Sequence, residues 1–314
     1  MSLLYKSVDN STCTFTCHLD RIAGNPMKAE LYKPSPALSK YIDNYMLVDI
    51  DWRNTESVST VWRLIPYGKV SMLFLYGEPH EYSLNGSADA MQRTRQAFLV
   101  GQLTQPIWLK FTGHTRLIKI QFKSSGAQKF LPINMEEFKN VPSLDLEAVW
   151  GGSIHFLLEQ MEEASSDAER ISRLNSFLEK RLLPQQDLVD YVDYTIQQMK
   201  LTNGNVPIKG LEQKLGISTR QLERVFRYKI GLSPKEMAKL IRLNNAFSCL
   251  EAEPAISMTS LSVDAGYYDQ SHFSRDFKSI AGVSPTKLLA ESSKELFVTH
   301  GQCFMKQVGS ETTV

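Results

Sequence analysis

The chain has 314 residues, a formal net charge of +1 and a hydrophobic share of 42%. These values exclude an intrinsically disordered chain and a uniformly basic protein, and the length allows two domains. No apolar run approaches the roughly 18 residues of a membrane-spanning helix, and the N-terminus lacks the layout of a signal peptide. The four cysteines are too few and too scattered for a disulfide framework. We therefore expect a cytoplasmic protein with no membrane contact.

Residues 1–150 show the pattern of a β-rich domain. After an N-terminal stretch to about residue 28, for which we expect irregular or edge structure, a short helix is predicted from Leu38, Tyr41, Ile42 and Tyr45 at helical spacing. Strands are then predicted at 58–65, 70–76, 81–84, 97–101, 107–111 and 116–122, with glycine-containing turns between them. Many short strands at this spacing are typical of a β-sandwich or small barrel.

From about residue 151 the apolar period becomes helical. One apolar stripe consists of Ile154, Leu157, Leu158 and Met161, and a second consists of Ile171, Leu174, Phe177, Leu178 and Leu182. A polar turn separates the stripes, so the sequence predicts an antiparallel helical hairpin at 151–186. Its apolar surface exceeds what one hairpin can bury against itself.

The most informative feature is a passage that occurs twice near the C-terminus. The first copy runs from Leu211 through Gly216 to Gly231-Leu232-Ser233-Pro234, and the second runs from Leu261 through Gly266 to Gly282-Val283-Ser284-Pro285. Each copy predicts a short apolar helix, a glycine turn, a longer helix and a stop that caps the next helix. This is the layout of a helix-turn-helix, and two in tandem indicate a protein that reads two adjacent stretches of the DNA major groove.

The longer helix of each copy presents a polar face opposite an apolar one. In the first copy this face carries Arg220, Glu223, Arg224 and Arg227. In the second copy the matching positions are Ser271, Ser274, Arg275 and Lys278, flanked by Gln270 and His272. Arginine reads guanine through two parallel hydrogen bonds, and a glutamate accepts from cytosine or orients a neighbouring arginine. The stretch 209–242 holds nine basic and three acidic residues, which is the local charge that a DNA-binding surface requires.

These residues resemble the DNA-binding domain of the AraC/XylS family of bacterial transcription regulators. The matching features are Leu211–Gly216, Ser218–Phe226, Gly231–Pro234, Arg242, Gly266-Tyr267, Ser271–Phe277 and Gly282–Pro285. The resemblance covers about a third of the chain and implies a seven-helix domain with two helix-turn-helix units joined by a long helix. It also implies base-facing roles for Arg220, Glu223 and Arg224 and for Gln270, Ser271, His272, Ser274 and Arg275. The acidic Glu223 departs from the family pattern.

The resemblance further implies an N-terminal effector or dimerisation domain, often a cupin-like barrel, and the strand pattern is similar to one. Candidate aromatic lining residues are Trp62, Tyr67, Phe74, Tyr76, Phe98, Trp108 and Phe111. Among these aromatic residues we predict that Trp62, Tyr76 and Trp108 contact a ligand. We also predict that Arg63 binds a ligand's anionic group.

Two other classes of protein remain alternatives. The first is a cupin-type metal enzyme fused to a DNA-binding module, but His18, His80, His114 and His155 stand apart instead of forming the required ligand cluster. We therefore predict no metal ligand, no other cofactor and no catalytic residue. The second is an architectural DNA-binding protein with an inert N-terminal domain. A saturable ligand that alters DNA affinity would distinguish a regulator from an architectural protein, whereas bound metal or turnover would favour the enzyme.

The sequence thus predicts an α+β protein, with a cupin-like β-barrel or sandwich and a helical hairpin followed by an all-α domain. Four parts are expected: an effector domain at 1–150, a hairpin for dimerisation at 151–186, an AraC-type DNA-binding domain at 187–292 and a tail at 293–314. The predicted function is sequence-specific transcription regulation at the bacterial nucleoid. Its predicted partners are the major groove of double-stranded DNA, RNA polymerase, a small-molecule effector and a second copy of the chain.

Overall fold

The protein is described by a computed structural model. The described residues are 6–9, 12–14, 28–53, 61–86, 90–131, 133–184, 191–253, 256–291, 296–299 and 302–304. Strands dominate up to residue 145 and helices dominate from residue 147 to residue 291, so the predicted α+β order is confirmed. No helix within these ranges is both long enough and apolar enough to span a membrane.

Two sheets form the N-terminal part, a larger antiparallel one and a smaller mixed one. The larger sheet has the order β1 (Lys6–Asp9), β2 (Thr12–Thr14), β3 (Lys28–Tyr32), β4 (Ile42–Asp51), β11 (His114–Phe122), β6 (Ser71–Leu75), β9 (Ala97–Val100) and β12 (Leu144–Asp145). The smaller sheet has the order β14 (Gln302–Phe304), β13 (Leu296–Thr299), β5 (Val61–Leu64), β10 (Ile107–Lys110), β7 (Glu81–Ser83) and β8 (Gln92–Arg93). Strand β13 pairs with β5 in parallel, so part of the tail, which the sequence left unassigned, completes the smaller sheet.

The helix predicted around Leu38 and Tyr45 is wrong. A turn at 36–41 leads into β4, which pairs with β3 on one side and β11 on the other. The register between β4 and β11 shifts at Phe122, which lies opposite Ile42, while Gln121 lies opposite Asn44. This irregularity places one extra residue in β4 and brings Ile42 and Tyr45 into the same core at a spacing of three, which imitates a helical period.

The predicted hairpin is present as α2 (Ser153–Glu163) and α3 (Asp167–Glu179), preceded by the short α1 (Glu147–Trp150). Both apolar stripes pack into the core of the larger sheet, in one cluster with Tyr45, Phe74 and Ile118. Leu174 and Leu178 are fully buried there. The β-rich domain of the same chain covers these side chains, so the apolar stripes of the predicted dimerisation hairpin are not available to a second copy.

Seven helices follow in the described C-terminal residues, as the family resemblance implied. They are α4 (Tyr191–Leu201), α5 (Ile208–Leu215), α6 (Thr219–Ile230), α7 (Pro234–Ala252), α8 (Met258–Asp264), α9 (Gln270–Ala281) and α10 (Pro285–Glu291). They share a second core that includes Phe226, Phe247, Phe273 and Phe277. The N-terminal residue Ile65 belongs to this helical core as well, so the two parts of the molecule are packed together.

The turn after β5 makes this contact with the long helix α7. Asn244 Nδ2 donates to the carbonyl oxygen of Tyr67 over 3.0 Å. A Cβ on Gly68 would lie 3.2 Å from Met237 Sδ. We call residues 65–69 the interdomain turn, because this segment follows β5 of the smaller sheet and contacts α7, the helix between the two helix-turn-helix units.

Candidate DNA-binding surface and effector cavity

The first helix-turn-helix unit consists of α5 and α6, joined by a turn at Gly216. Ser218 caps α6 by accepting a hydrogen bond from the backbone N–H of Gln221 over 3.2 Å. Leu222 and Phe226 are fully buried on the inner face of the helix. This capping and packing hold α6 with its polar face outward.

That polar face carries the four residues predicted to bind DNA. Arg220 and Arg224 are exposed, whereas Glu223 and Arg227 are half-buried. Arg227 Nη1 donates to Glu136 Oε1 of the N-terminal domain over 2.9 Å, and this hydrogen bond raises the pKa of the Arg227 guanidinium. The structure thus leaves Arg220 and Arg224 open toward solvent and engages Arg227 in an interdomain ion pair.

The second unit consists of α8 and α9 and repeats this geometry. Asp269 caps α9 by accepting from the backbone N–H of His272 over 2.7 Å. Phe273 and Phe277 are fully buried. The predicted contact residues Gln270, Ser271, His272, Arg275 and Lys278 are exposed and Ser274 is half-buried. All six lie on or beside the outer face of α9.

The long helix α7 connects the units and positions α9. Ser233 and Glu236 form a capping box at its start, as the Gly-x-Ser-Pro motif predicted. Its 19 residues span roughly 28 Å at 1.5 Å per residue, close to the roughly 34 Å between successive major-groove turns on one face of DNA. Lys239 Nζ lies 2.8 Å from Asp276 Oδ1 and donates to Ser279 Oγ over 2.8 Å.

Asp276 is a positioning residue that the sequence reasoning missed. Besides Lys239, it contacts Tyr267, whose hydroxyl donates to Asp276 Oδ2 over 3.2 Å, and His272, whose Nε2 lies 3.5 Å away. A carboxylate one turn after His272 on an otherwise cationic helix was the available signal.

The N-terminal domain approaches the C-terminal ends of both recognition helices. Gly231 and Gly282 end α6 and α9 in left-handed conformations, with φ of 87° and 79°. A Cβ on Gly231 would lie 2.6 Å from the carbonyl oxygen of Met135, and one on Gly282 would lie 3.0 Å from Pro106 Cγ. Both glycines are therefore required by the helix stop, and at Gly231 also by the close approach of the N-terminal backbone.

A cavity of about 160 Å³ lies between the two sheets of the N-terminal domain. Strands of both sheets line it, and its surface is mostly apolar. The lining includes Met46, Val48, Ile50, Trp52, Trp62, Leu64, Leu73, His80, Phe98, Val100, Leu103, Leu109, Phe111 and Leu117. Residues 65–69, the interdomain turn, also line it, so the cavity wall and the contact with α7 share one segment.

Of the four residues predicted to contact a ligand, Trp62 lines this cavity. Arg63 on β5 and Trp108 on β10 do not line the cavity, although their neighbours in sequence do. Successive residues of a strand point to opposite faces of the sheet, so these two side chains lie on the other face. The Arg63 guanidinium lies 5.6 Å from the Trp108 ring centre instead. Tyr76 lies at a separate polar cavity beside α2, together with His155, Glu159 and Glu162.

Several polar side chains at the cavity are paired within the protein, whereas His80 Nδ1 is buried and has no hydrogen-bond partner among the described residues. Lys119 Nζ donates to Tyr67 OH over 2.8 Å, and Tyr67 OH donates to Gln121 Oε1 over 3.0 Å. Burial alone would raise the pKa of Tyr67, but Lys119 and the hydrogen bonds to the hydroxyl lower it below its ordinary value. Within the described ranges, no group of three or more His, Cys, Asp and Glu residues is arranged to hold a metal ion.

Comparisons with known proteins match the two parts of the chain separately. Residues 211–291 match a family described as a helix-turn-helix domain, and residues 30–142 match a domain of unknown function, DUF6597. The Msm operon regulatory protein of Streptococcus mutans serotype c is 32% identical over 84 residues, which cover 27% of this chain and 30% of that protein. The match therefore spans less than a third of the relative's length.

Two solved structures are among those with similarity to this chain. ToxT of Vibrio cholerae is 12% identical, with 78% of this chain and 97% of that chain covered at a TM-score of 0.42. A probable AraC family transcriptional regulator from Rhodopseudomonas palustris is 25% identical, with 33% of this chain and 97% of that chain covered at a TM-score of 0.30.

The assignment follows from the family match at 211–291 and from the paired geometry around Gly216 and Gly266. Two capped recognition helices with exposed polar faces are joined by one long helix, at the positions that the repeat predicted. The C-terminal domain of this chain is a DNA-binding domain of the AraC/XylS family of transcription regulators, with two helix-turn-helix units.

Proposed function

We propose that the protein is a sequence-specific transcription regulator of the bacterial cytoplasm, whose N-terminal domain senses a small molecule. In this proposal α6 and α9 enter successive turns of the major groove. The observation that carries it is the pair of outward polar faces on two recognition helices of one AraC-type domain. Exposed Arg220 and Arg224 on α6 and Arg275 on α9 supply the side chains that read guanine.

The effector role rests on the cavity and its position. The interdomain turn lines the cavity and also contacts Asn244 and Met237 of α7. A ligand that changes the shape of this wall would change the packing of the helix that sets the distance between α6 and α9. Recruitment of RNA polymerase, residence at the nucleoid and pairing of two copies on adjacent sites belong to the same proposal. The exposed side chain of Phe156, at 62% exposure on α2, leaves an outer apolar position at which a second copy could pack.

The experiment is selection of bound sequences from random double-stranded DNA with the full chain, followed by gel-shift competition. Arg224→Ala should weaken binding to the selected sequence and relax the preference at one base pair. Arg95→Ala is the matched control, because this arginine is 70% exposed and lies in the N-terminal domain. Failure of the wild-type chain to enrich any sequence would contradict the proposed function. Equal effects of the two substitutions would contradict the placement of α6.

A further inference from the structure

The turns of the two helix-turn-helix units differ in length by one residue. In the first unit, Ile217 alone separates Gly216 from Ser218, the N-cap of α6. In the second unit, two residues separate Gly266 from Asp269, the N-cap of α9. Both glycines have positive φ, at 66° and 77°, and both recognition helices have 12 residues. The additional residue is therefore confined to the turn that leads into the second recognition helix.

The additional residue is Tyr268. Tyr267 is buried in the helical core and Ile217 is partly buried against it, so these two side chains occupy corresponding positions. Tyr268 lies between this position and the cap, and its side chain is 100% exposed. Leu201 follows it among the exposed large apolar side chains of the described residues, at 72%. The longer turn thus adds an aromatic side chain that contributes to no core.

The chain is held in place on both sides of Tyr268. Before it, the hydroxyl of Tyr267 donates to Asp276 Oδ2 over 3.2 Å. Burial raises the pKa of Tyr267 to about 12, so this hydroxyl keeps the proton that it donates near neutral pH. After it, the side chain of Asp269 accepts from the backbone N–H of His272 over 2.7 Å. Tyr268 therefore extends into solvent from a fixed point, and little ordering of the backbone is required when it meets a partner.

Two polar side chains at the start of α9 are already engaged within the second unit. Gln270 Oε1 accepts from Thr259 Oγ1 over 3.3 Å, and His272 Nε2 lies 3.5 Å from Asp276 Oδ2. These contacts use part of the hydrogen-bonding capacity that a base edge would require. The ring of Tyr268 lies beside them in sequence and is fully exposed, so it supplies an apolar surface at this end of the helix.

From these observations we propose that Tyr268 is a specificity-determining residue, which reads thymine by packing its ring against the 5-methyl group in the major groove. This methyl is the apolar group among the base edges of that groove, and the N-terminal residues of a recognition helix approach base edges. Where the first unit has Arg220, the second has Ser271, so an apolar contact takes the place of a charged one. The inference rests on the proposed function, because it requires that α9 enters the major groove.

The first test removes only the methyl group from the DNA. The sequence selected by the wild-type full chain is synthesised again with each thymine replaced in turn by deoxyuridine, which pairs as thymine does and lacks the 5-methyl group. In gel-shift titrations we expect a replacement at the position read by Tyr268 to weaken binding by roughly fourfold, the factor that corresponds to one buried methyl group.

Variants of Tyr268 connect that methyl group to this side chain. With Tyr268→Ala, thymine and deoxyuridine should bind equally at the one position. Tyr268→Phe keeps the ring and should preserve the roughly fourfold preference. Leu201→Ala is the matched control, because Leu201 is an exposed apolar residue at the end of α4, and it should preserve the preference as well. Since the side chain of Tyr268 is fully exposed, thermal unfolding of its variants should match that of the wild type.

Wild-type protein that tolerates every replacement by deoxyuridine would overturn the inference, and this measurement needs no variant. Methyl sensitivity that persists unchanged in Tyr268→Ala would overturn it as well. Equal losses of affinity in Tyr268→Ala and Tyr268→Phe, uniform across sequences, would show that the hydroxyl binds phosphate instead.

The same assays separate this inference from the function on which it rests. Failure of the wild-type chain to enrich any sequence would contradict the proposed function, and the inference with it. Enrichment of a sequence that binds without methyl sensitivity would contradict only the role of Tyr268.

Discussion

The two helix-turn-helix units share one fold and differ in how their recognition helices are held. In the first unit, α6 presents Arg220 and Arg224, and its last turn is tied to the N-terminal domain through Arg227 and Glu136. In the second unit, α9 has fewer cations and is tied to α7 through Asp276 and Lys239. The first unit therefore combines the stronger positive charge with a contact to the N-terminal domain, and the second is held within the C-terminal domain.

This difference suggests a division of labour between the units. Phosphate attraction depends on the number of cations that reach the DNA backbone, so α6 should contribute more of the affinity. Regulation should act first on the same helix, because the turn at 135–138 packs against its C-terminal end. The second unit should respond less to regulation. Of the described residues, only Pro106 of the N-terminal domain lies within 4 Å of a Cβ placed on Gly282.

The largest expected effect comes from the buried aromatic residues at the centres of the two units. Phe226→Ala and Phe277→Ala should each cost about 3–5 kcal/mol in the free energy of unfolding, because each removes a fully buried ring. We expect nuclease footprints to lose protection over the half-site of the altered unit. The controls Phe226→Leu and Phe277→Leu keep most of the apolar volume and should retain both half-sites. Full-length footprints from both alanine variants would contradict the placement of these two rings at the centres of the DNA-binding units.

Substitution of the central arginine in each recognition helix tests the inequality of the units directly. Arg224→Ala on α6 should reduce specific DNA binding by about 1–3 kcal/mol and relax preference at one base pair. Arg275→Ala on α9 should cost less, because its Nε already donates to the carbonyl oxygen of Ser271 over 3.3 Å within its own helix. Gel-shift titrations of both variants provide the comparison. A larger loss for Arg275→Ala would reverse the division of labour.

The sequence predicted the second core far better than the contacts between domains. The repeat alone located Gly216, Gly266 and both helix stops, because helix-turn-helix geometry is local and needs caps and glycines at fixed positions. In the N-terminal part, alternation located most strands, but the shifted register opposite Phe122 made β4 resemble a helix. Local patterns cannot show such a shift, since the partner strand lies about 70 residues away in sequence.

At the candidate site, the sequence did not predict contacts between residues that are far apart in the chain. The polar faces of α6 and α9 were predicted and are found outward, because helical periodicity alone sets which residues share a face. The pairing of Arg227 with Glu136 and the contact of Tyr67 with Asn244 depend on how two folded parts meet. The cavity shows the same limit. Alternation along β5 indicates that Trp62 and Arg63 lie on opposite faces of the sheet, but only the packing of the two sheets shows that the face with Trp62 is turned toward the cavity.

A smaller effect is expected where α9 is anchored to α7. Lys239→Met keeps much of the side chain and removes the ammonium that contacts Asp276 and Ser279. Because Asp276 is 17% exposed in its side chain, we expect a loss of about 1 kcal/mol in stability and a weaker footprint over the second half-site alone. Lys235→Met, on the exposed face of the same helix, is the control. A loss confined to the first half-site would show that Lys239 does not serve α9.

The smallest effect, and the one that bears most directly on regulation, concerns the ion pair between the N-terminal domain and α6. Both partners are about 40% exposed, at 42% for Arg227 and 44% for Glu136, and pairs of this kind contribute about 0.2–1 kcal/mol. Glu136→Gln should free Arg227 and remove a negative charge beside the recognition helix. We therefore expect DNA affinity to rise by up to roughly fivefold, with a salt dependence steeper by about one phosphate contact.

Glu137→Gln removes the same charge from the neighbouring position of the turn, where the carboxylate accepts from Asn134 and not from Arg227. If general repulsion of DNA were the cause, both substitutions would raise affinity equally. If the Arg227–Glu136 pair instead holds α6 in its DNA-binding position, Glu136→Gln would lower affinity and leave the salt slope unchanged. A rise that is specific to Glu136→Gln and that diminishes at high salt would establish that the N-terminal domain restrains the first unit through this pair, as the comparison of the two recognition helices requires.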